Sequence, residues 1–469
     1  MRTVAMLLVM MLISPVAAAI TDEQNQRFDL EINGEEIIPT YSRAVQTAFD
    51  RVENLEQYSQ EQLEQTNEWL VVTQVPMNKH SWTIPSPKHV EQAPILNGAY
   101  IWYFEEPLEA IPLMKEALSL GQIESFSPLI LKQQQIRDNP DDPEFSSQWH
   151  LENTGQTGGV SGEDINATDV WDDYRGNGVI ISIVDDGLDH SHPDLADNYD
   201  PSYSYDWCDD DSDPSPSSWN GHGTAVAGVA AAVGNNSLYV SGAAWEATIA
   251  GSTLIACWAG DATEAEALSF EKDDIDIYTN SWGPSDDGQT LQAPGPLTLA
   301  VFESDAYLGR EGLGNTITWA AGNGLTGDDN SNYDGYANSR FTIAVTAITH
   351  YGEQSYYAEP GANILVAAHS NGDGEGITTT DINGTGGYNS SGNLTHDFGG
   401  TSSATPLAAG VIALMYDANE DLTWRDVQEI LVQSSRMNDP SDSSWNINGA
   451  GHDVSHKYGF GAVDAGAAV

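Results

Sequence analysis

Val179-Ile180-Ile181-Ser182-Ile183-Val184-Asp185-Asp186-Gly187 decides the fold. The run Val179–Val184 is apolar on both alternating faces, as a strand covered on both sides of a parallel sheet must be. It ends on two acids and a glycine, so carboxylates stand at the strand's carboxyl end, where open α/β sheets place their sites. Outward from it the same pattern recurs. His222 to Val233 reads as a small-residue helix, Ala247–Ala256 as a strand, Thr263–Glu271 as a helix and Ile275–Thr279 as a strand. Leu297–Gly309 and Trp424–Ser434 read as helices, and Thr316–Ala320, Phe341–Ile348 and Asn363–Ala367 as strands. This alternation predicts an α/β domain over 138–469, with a doubly wound, mainly parallel sheet. The stretches 200–220, 325–335 and 371–393 are rich in Asp, Asn, Gly and Ser and read as long surface or binding loops.

The preceding segment has a different texture. Residues 20–137 are rich in Gln and Glu, with a strand at Gly98–Phe104, a helix at Glu109–Leu120 and a strand at Ile123–Leu131. They form a separate small α+β unit, joined to the rest by the polar, proline-containing stretch Lys132–Pro143. At the very start, Met1-Arg2, an apolar run Val4–Val16 and Ala17-Ala18-Ala19 read as a signal peptide, 1–19, cleaved after Ala19. No later run approaches the ~20 apolar residues a membrane span needs, so a soluble, monomeric protein, secreted or periplasmic, is expected. Cys208 and Cys257 are the only cysteines. They form one disulfide in an oxidising compartment or two buried free thiols.

The chain carries 16 basic and 70 acidic residues, a net charge of −54. Such a field excludes nucleic acid as a partner. It suits a surface kept soluble by self-repulsion at high salt, or one that binds divalent cations.

Three glycine-flanked motifs carry chemistry. Asp185 ends a strand, Asn220-Gly221-His222-Gly223-Thr224 opens a helix, and Phe398-Gly399-Gly400-Thr401-Ser402-Ser403-Ala404-Thr405-Pro406 opens another. Pro406 is expected in that helix's first turn, with Ser402 beside free N–H groups and the positive helix end. An N-cap serine and a structural histidine are the plain readings of each alone. Together, in the order Asp, His, Ser, they read as orienter, general base and nucleophile. Asn323, in Trp319-Ala320-Ala321-Gly322-Asn323-Gly324, reads as an oxyanion donor.

On these residues the chain resembles the subtilisin-like serine proteases (subtilases), and within them the kexin/furin type. Ile183–Leu188, His192-Pro193-Asp194-Leu195, Gly221–Thr224, Ser281-Trp282-Gly283-Pro284, Asp286-Asp287-Gly288, Tyr333-Asp334-Gly335-Tyr336 and Thr401-Ser402 carry the resemblance. Leu422–Asp426 and Val454–Gly459 extend it, so that it covers about 142–466. It implies peptide cleavage after a basic residue, Arg preferred. The substrate would lie along Ser281, Trp282 and Gly283, with Asp286 and Asp334 in the primary pocket, Asp186 in the next and Glu266 further on. Trp219 and Gln292 stand where furin-like enzymes have acids, which argues against a strict multibasic requirement.

The resemblance also implies Ca2+, bound in two places. One site would use Asp142, Asp194, the Asn236 side chain and the carbonyls of Val233, Leu238 and Val240. The other would use Asp286, Asp329 and Glu359. Residues 20–137 would be an inhibitory, fold-assisting prodomain of a zymogen. No two basic residues are adjacent in the chain, so self-processing would use a single basic residue, Arg137, after Ile136. A β-sandwich P domain normally follows the catalytic domain in this type. The chain ends at Val469 without one, as a fragment or as a member lacking it. The alternatives are a broad-specificity subtilase whose acids serve only calcium, and an inactive acidic calcium-binding module. Zinc and thiol sites have no motif to support them.

Overall fold

The computed structural model describes residues 139–390 and 392–469, with shorter stretches between residues 30 and 130. The expected signal peptide, with Ala19, and the expected processing residue Arg137 lie outside the described residues. The chain divides into two compact units between Ile136 and Arg137.

The described part of the first unit holds a strand pair, β1 (Leu30–Ile32) with β2 (Glu35–Ile37), and helix α1 (Gln60–Gln65). Strands β3 (Glu68–Val72), β4 (His89–Gln92), β5 (Ala99–Tyr103) and β6 (Ser125–Pro128) make an antiparallel sheet in the order β4-β5-β3-β6. Helix α2 (Pro107–Ser119) buries Ala110, Met114 and Ala117 in one core with Trp69, Trp102 and Phe126. Those three helix positions recur at the spacing of a single helical face.

The second unit is built on seven parallel strands: β7 (Ile180–Asp185), β8 (Tyr205–Asp206), β9 (Thr248–Thr253), β10 (Ile277–Asn280), β11 (Thr316–Ala320), β12 (Thr342–Ile348) and β13 (Ile364–His369). Their order is β13-β12-β11-β10-β7-β9-β8. The chain leaves β7 toward one edge and then returns to build toward the other, so β7 is the switch point and Asp185 stands at its carboxyl end. The helices are α3 (His222–Ala231), α4 (Asp261–Ala267), α5 (Pro296–Leu308), α6 (Thr401–Ala418) and α7 (Trp424–Ser434). Every residue of α3 after His222 is buried, as is α6 from Ser403 to Tyr416. An Ala- and Gly-rich sequence permits this, because small side chains allow close backbone approach on all sides.

Two expectations change. Part of the stretch 371–393 is not loop: β14 (Ile377–Thr380) pairs antiparallel with β15 (Leu394–Phe398) and packs on α3, where Gly228 abuts Thr379 and Thr380. Pro406 is not in a first turn, because α6 already begins at Thr401 and the proline lies inside it. The two cysteines form a disulfide, Cys208–Cys257, with Cα atoms 5.7 Å apart.

Candidate active site

Asp185 is buried and accepts a 2.7 Å hydrogen bond from His222 Nδ1. The contact depends on Gly223. A Cβ there would stand 2.2 Å from the Gly187 carbonyl oxygen and 2.9 Å from the Asp185 Cβ. Burial disfavours an imidazolium at His222. The Asp185 carboxylate, with Asp186 behind it, outweighs burial and raises the imidazole's proton affinity. With Nδ1 on Asp185, Nε2 is the ring nitrogen left to exchange a proton.

Ser402 lies in the first turn of α6, after Gly400 at φ +75°, a conformation that favours glycine. Its hydroxyl donates to the Ser281 carbonyl oxygen at 3.3 Å. The two halves of the site meet here. Trp282 Nε1 donates to Val184 O at 3.0 Å, and the Phe398 ring lies edge-on to His222 with centroids 5.5 Å apart. The Asn323 amide oxygen accepts from the Thr401 N–H at 2.8 Å and from the Thr401 hydroxyl at 3.1 Å. Held by its oxygen, the amide presents its NH2 as a donor. Thr401 has no warning in the sequence beyond its place before Ser402.

The expected substrate acids divide. Asp286 and Asp334 line one pocket with Ser285, Gly322, Asp329 and Glu359. Burial and the neighbouring acids push Asp334 up to about 7 and Glu359 up to about 8, and raise Asp286 as well. Asp186 is also pushed up, to about 6, by burial and by Asp185. It accepts from the N–H groups of Gly223 at 2.8 Å and His222 at 3.4 Å, so its carboxylate caps α3.

Glu266 is not among the residues that line the cleft beside Trp282. It is exposed, and its charge is felt at Tyr205. The acid that reaches the cleft is Glu264, whose carboxylate accepts from Tyr336 OH at 2.9 Å. The cleft lined by Glu264 has a volume of roughly 320 Å³, with Ile255, Trp258, Trp282 and Tyr336 on its walls. Trp258 follows Cys257, so the disulfide anchors that wall. Trp258 and Trp219 are both almost wholly solvent-exposed, and neither Trp258 nor Glu264 was among the expected residues.

The structure brings carboxylates of each expected cation site near one another. Carboxylate oxygens of Asp286, Asp329 and Glu359 lie within 4.8 Å of one another. Gly324 N–H donates to Glu359, Gly288 N–H to Asp329 and Asn323 N–H to Asp286, at 2.8, 2.8 and 3.1 Å. At the other site Asp142 and Asp194 are buried near each other, and Asn236 Nδ2 donates to Asp194 at 3.1 Å. Burial, with Asp142 adding to it, pushes Asp194 up to about 6. The N–H groups of Val240 and Leu238 donate to Asp194 and to the Asn236 amide oxygen, each within 2.8 Å, and Val233 N–H donates to the Asp194 carbonyl. Clustered carboxylates and hard oxygen donors fit calcium.

A family model described as "Subtilase family" matches residues 176–461, more than half of the chain. The chain belongs to the subtilase family. Among its relatives are a PC3-like endoprotease variant B of Hydra vulgaris and furin of Homo sapiens. The first is 44% identical over 339 residues, covering 70% of this chain and 47% of that protein. The second is 40% identical over 358 residues, covering 74% and 43%. The chain is similar to these two relatives over 70% and 74% of its own length. It spans less than half their length. The solved structure of a serine protease of Aeromonas sobria aligns with TM-score 0.64 and 28% identity, covering 72% of this chain and 68% of that one.

Proposed function

We propose that this subtilase is a secreted, calcium-dependent serine endopeptidase, made as a zymogen, that cleaves after arginine. The observation that carries the specificity is the pocket holding Asp286 and Asp334 together beside Gly322 and Asn323. Two carboxylates in one narrow pocket favour a guanidinium, which each can bind through two N–H groups. A broad-specificity subtilase would not need both acids there.

The chemistry follows from the residues. The Ser402 hydroxyl leaves the Ser281 carbonyl and adds to the scissile carbonyl carbon while its proton passes to His222 Nε2. The carbonyl π electrons become an oxyanion, which the Asn323 NH2 and N–H groups at the start of α6 receive. Collapse breaks the C–N bond, and the departing amine takes the proton from His222. Water then repeats the cycle on the acyl-enzyme, with Asp185 holding the imidazole and its charge throughout. Asp286, Asp329 and Glu359 would hold one calcium ion, and Asp142, Asp194 and Asn236 another. The cation offsets the repulsion among acids that the pocket needs.

Upstream of the bond the walls are mixed. Glu264 supplies one carboxylate, but Trp258, Ile255 and Trp282 are apolar, and Trp219 and Gln292 are uncharged. These walls support a preference for Arg before the bond with weak demands on the residues preceding it. Residues 20–137 act as the inhibitory prodomain, released by cleavage after Arg137; the division of the chain between Ile136 and Arg137 supports a boundary there.

A peptide library digested with calcium and with chelator tests the whole reading. Cleavage after Arg, lost with chelator and absent in Ser402→Ala, is expected. Cleavage after Phe or Leu in preference to Arg would overturn the specificity, and no fluorophosphonate labelling of Ser402 would overturn the activity.

A further inference from the structure

Catalytic His222 opens α3, and the residue before it, Gly221, is packed from outside by the loop that leaves β14. A Cβ on Gly221 would lie 2.9 Å from Gly387 Cα and 3.2 Å from the Asp381 carboxylate. The Gly387 N–H donates to the Ser218 carbonyl oxygen at 3.0 Å, four residues before His222. The loop is folded on one buried acid. Asp381 is fully buried and accepts from the N–H groups of Ile382, Tyr388 and Asn389 at 2.9, 3.0 and 2.6 Å. At the loop's end Tyr388 stacks edge-on to Phe398 with centroids 5.7 Å apart, and Phe398 in turn lies edge-on to His222 at 5.5 Å.

We propose that residues 381–389 form a clamp that fixes the turn carrying His222, and that Tyr388, acting through Phe398, keeps water off the His222–Asp185 pair. Asp381 and Tyr388 are then positioning residues for the endopeptidase chemistry on which this proposal rests. Neither follows from the catalytic motifs. They sit in a loop whose sequence, Asp381-Ile382-Asn383-Gly384-Thr385-Gly386-Gly387-Tyr388-Asn389, reads only as turn chemistry.

The electrostatic surroundings support the cover. The groups facing the imidazole are Asp185 and Asp186 from the end of β7, and beyond the ring pair Asp381 and the Tyr388 phenol. Tyr388 is half exposed, its ring lying against Phe398, and partial desolvation together with the charges of Asp185, Asp186 and Asp381 holds its phenol protonated. It therefore bears no charge of its own, and its influence on His222 is exclusion of water. Burial disfavours the imidazolium. Removing the ring admits water, stabilises the imidazolium and moves the acid limb of kcat/KM to higher pH.

The experiment begins with fluorophosphonate labelling of wild type against Ser402→Ala, so that failure of the endopeptidase reading is seen first. The pH profile of kcat/KM on a peptide with Arg before the bond is then recorded for Tyr388→Ala, Tyr388→Phe and Gly387→Ala. Tyr388→Ala should shift the acid limb up by roughly half a pH unit, and Tyr388→Phe, which keeps the ring, should restore the wild-type limb. Gly387→Ala puts a methyl 1.8 Å from an Asp381 oxygen on a backbone at φ +71°. It should lower kcat about tenfold or more by displacing the His222 turn. An unshifted limb in Tyr388→Ala, or an equal shift in Tyr388→Phe, overturns the cover. A folded Gly387→Ala with wild-type kcat overturns the clamp. If that variant does not fold, the Tyr388 pair alone decides.

Discussion

Ser281 and Ser402 exchange hydrogen bonds: the Ser281 hydroxyl donates to the Ser402 carbonyl oxygen at 3.0 Å, and the Ser402 hydroxyl donates to the Ser281 carbonyl oxygen at 3.3 Å. The first bond is open because Pro406, four residues on in α6, has no N–H to give the Ser402 carbonyl. A proline inside a helix costs about 3 kcal/mol. Here it releases the carbonyl of the nucleophile's own residue to a partner at the end of β10. Ser281→Ala strands that carbonyl and should cost about 1–3 kcal/mol of stability, with a fall in kcat. Pro406→Ala restores a helical donor, so the double variant should lose less than the sum of the singles. Urea unfolding of the four proteins measures this, and strictly additive losses would refute it.

Much of this was legible in the sequence where one local rule decided the outcome. Helix α7 begins where Thr423 and Asp426 form a capping box, with Asp426 accepting from the Thr423 N–H at 2.9 Å. The strand before Asp185, the helix at His222 and the turn at Ser402 were readable because glycine marks each backbone approach. What escaped was set by partners distant in sequence. The β14–β15 pairing draws on two polar stretches separated by a glycine-rich loop, which carry no apolar alternation. Pro406 looked like a first-turn residue because its cost is offset by Ser281, 125 positions away and invisible to local reading. Glu264 gave no local sign in the sequence that Tyr336, 72 positions on, would donate to it.

Asn323 is held at its amide oxygen by Thr401, the residue before the nucleophile, so donor and nucleophile move as one body. Asn323→Ala should lower kcat by about 10²–10³ with KM nearly unchanged, since the lost hydrogen bond matters only once the oxyanion forms. Thr401→Val removes the orienting hydroxyl but keeps the N–H, and its loss should be smaller. Steady-state kinetics on one peptide separates the two. A rise in KM with constant kcat in Asn323→Ala would assign the residue to ground-state binding.

The carboxylates of Asp286, Asp329 and Glu359 line the same small pocket as Asp334, the pocket proposed to hold the arginine side chain. Glu359→Gln removes one ligand without touching Ser402 or His222. It should weaken calcium binding by at least tenfold and reduce the preference for Arg, while acyl transfer to a fluorophosphonate continues. Asp194→Asn at the other site should lower the calcium-dependent rise in Tm and leave peptide preference intact. Calcium titrations followed by Tm and by Arg cleavage test the division. Equal effects of both variants on specificity would refute it.

His150 is wholly buried, neither ring nitrogen has a hydrogen-bond partner among the described residues, and burial, with His369 adding to it, pushes it down to about 3. Trp149 stands edge-on to His150, His350 and His369, and His369 Nε2 lies 3.8 Å from Glu163. A histidine with folded affinity below its unfolded value contributes stability present above pH ~6.5 that is lost as pH falls toward 3. The expected slope from this one group is at most about 1.4 kcal/mol per pH unit. His150→Phe keeps a ring and removes the titration. Because both nitrogens are already unpartnered, it should cost little at pH 7. Its stability relative to wild type should then improve steadily from pH 6 to pH 4, whatever the calcium carboxylates do to both proteins. Urea unfolding read by tryptophan fluorescence measures the difference, and parallel pH curves for the two proteins would show that His150 does not set acid stability.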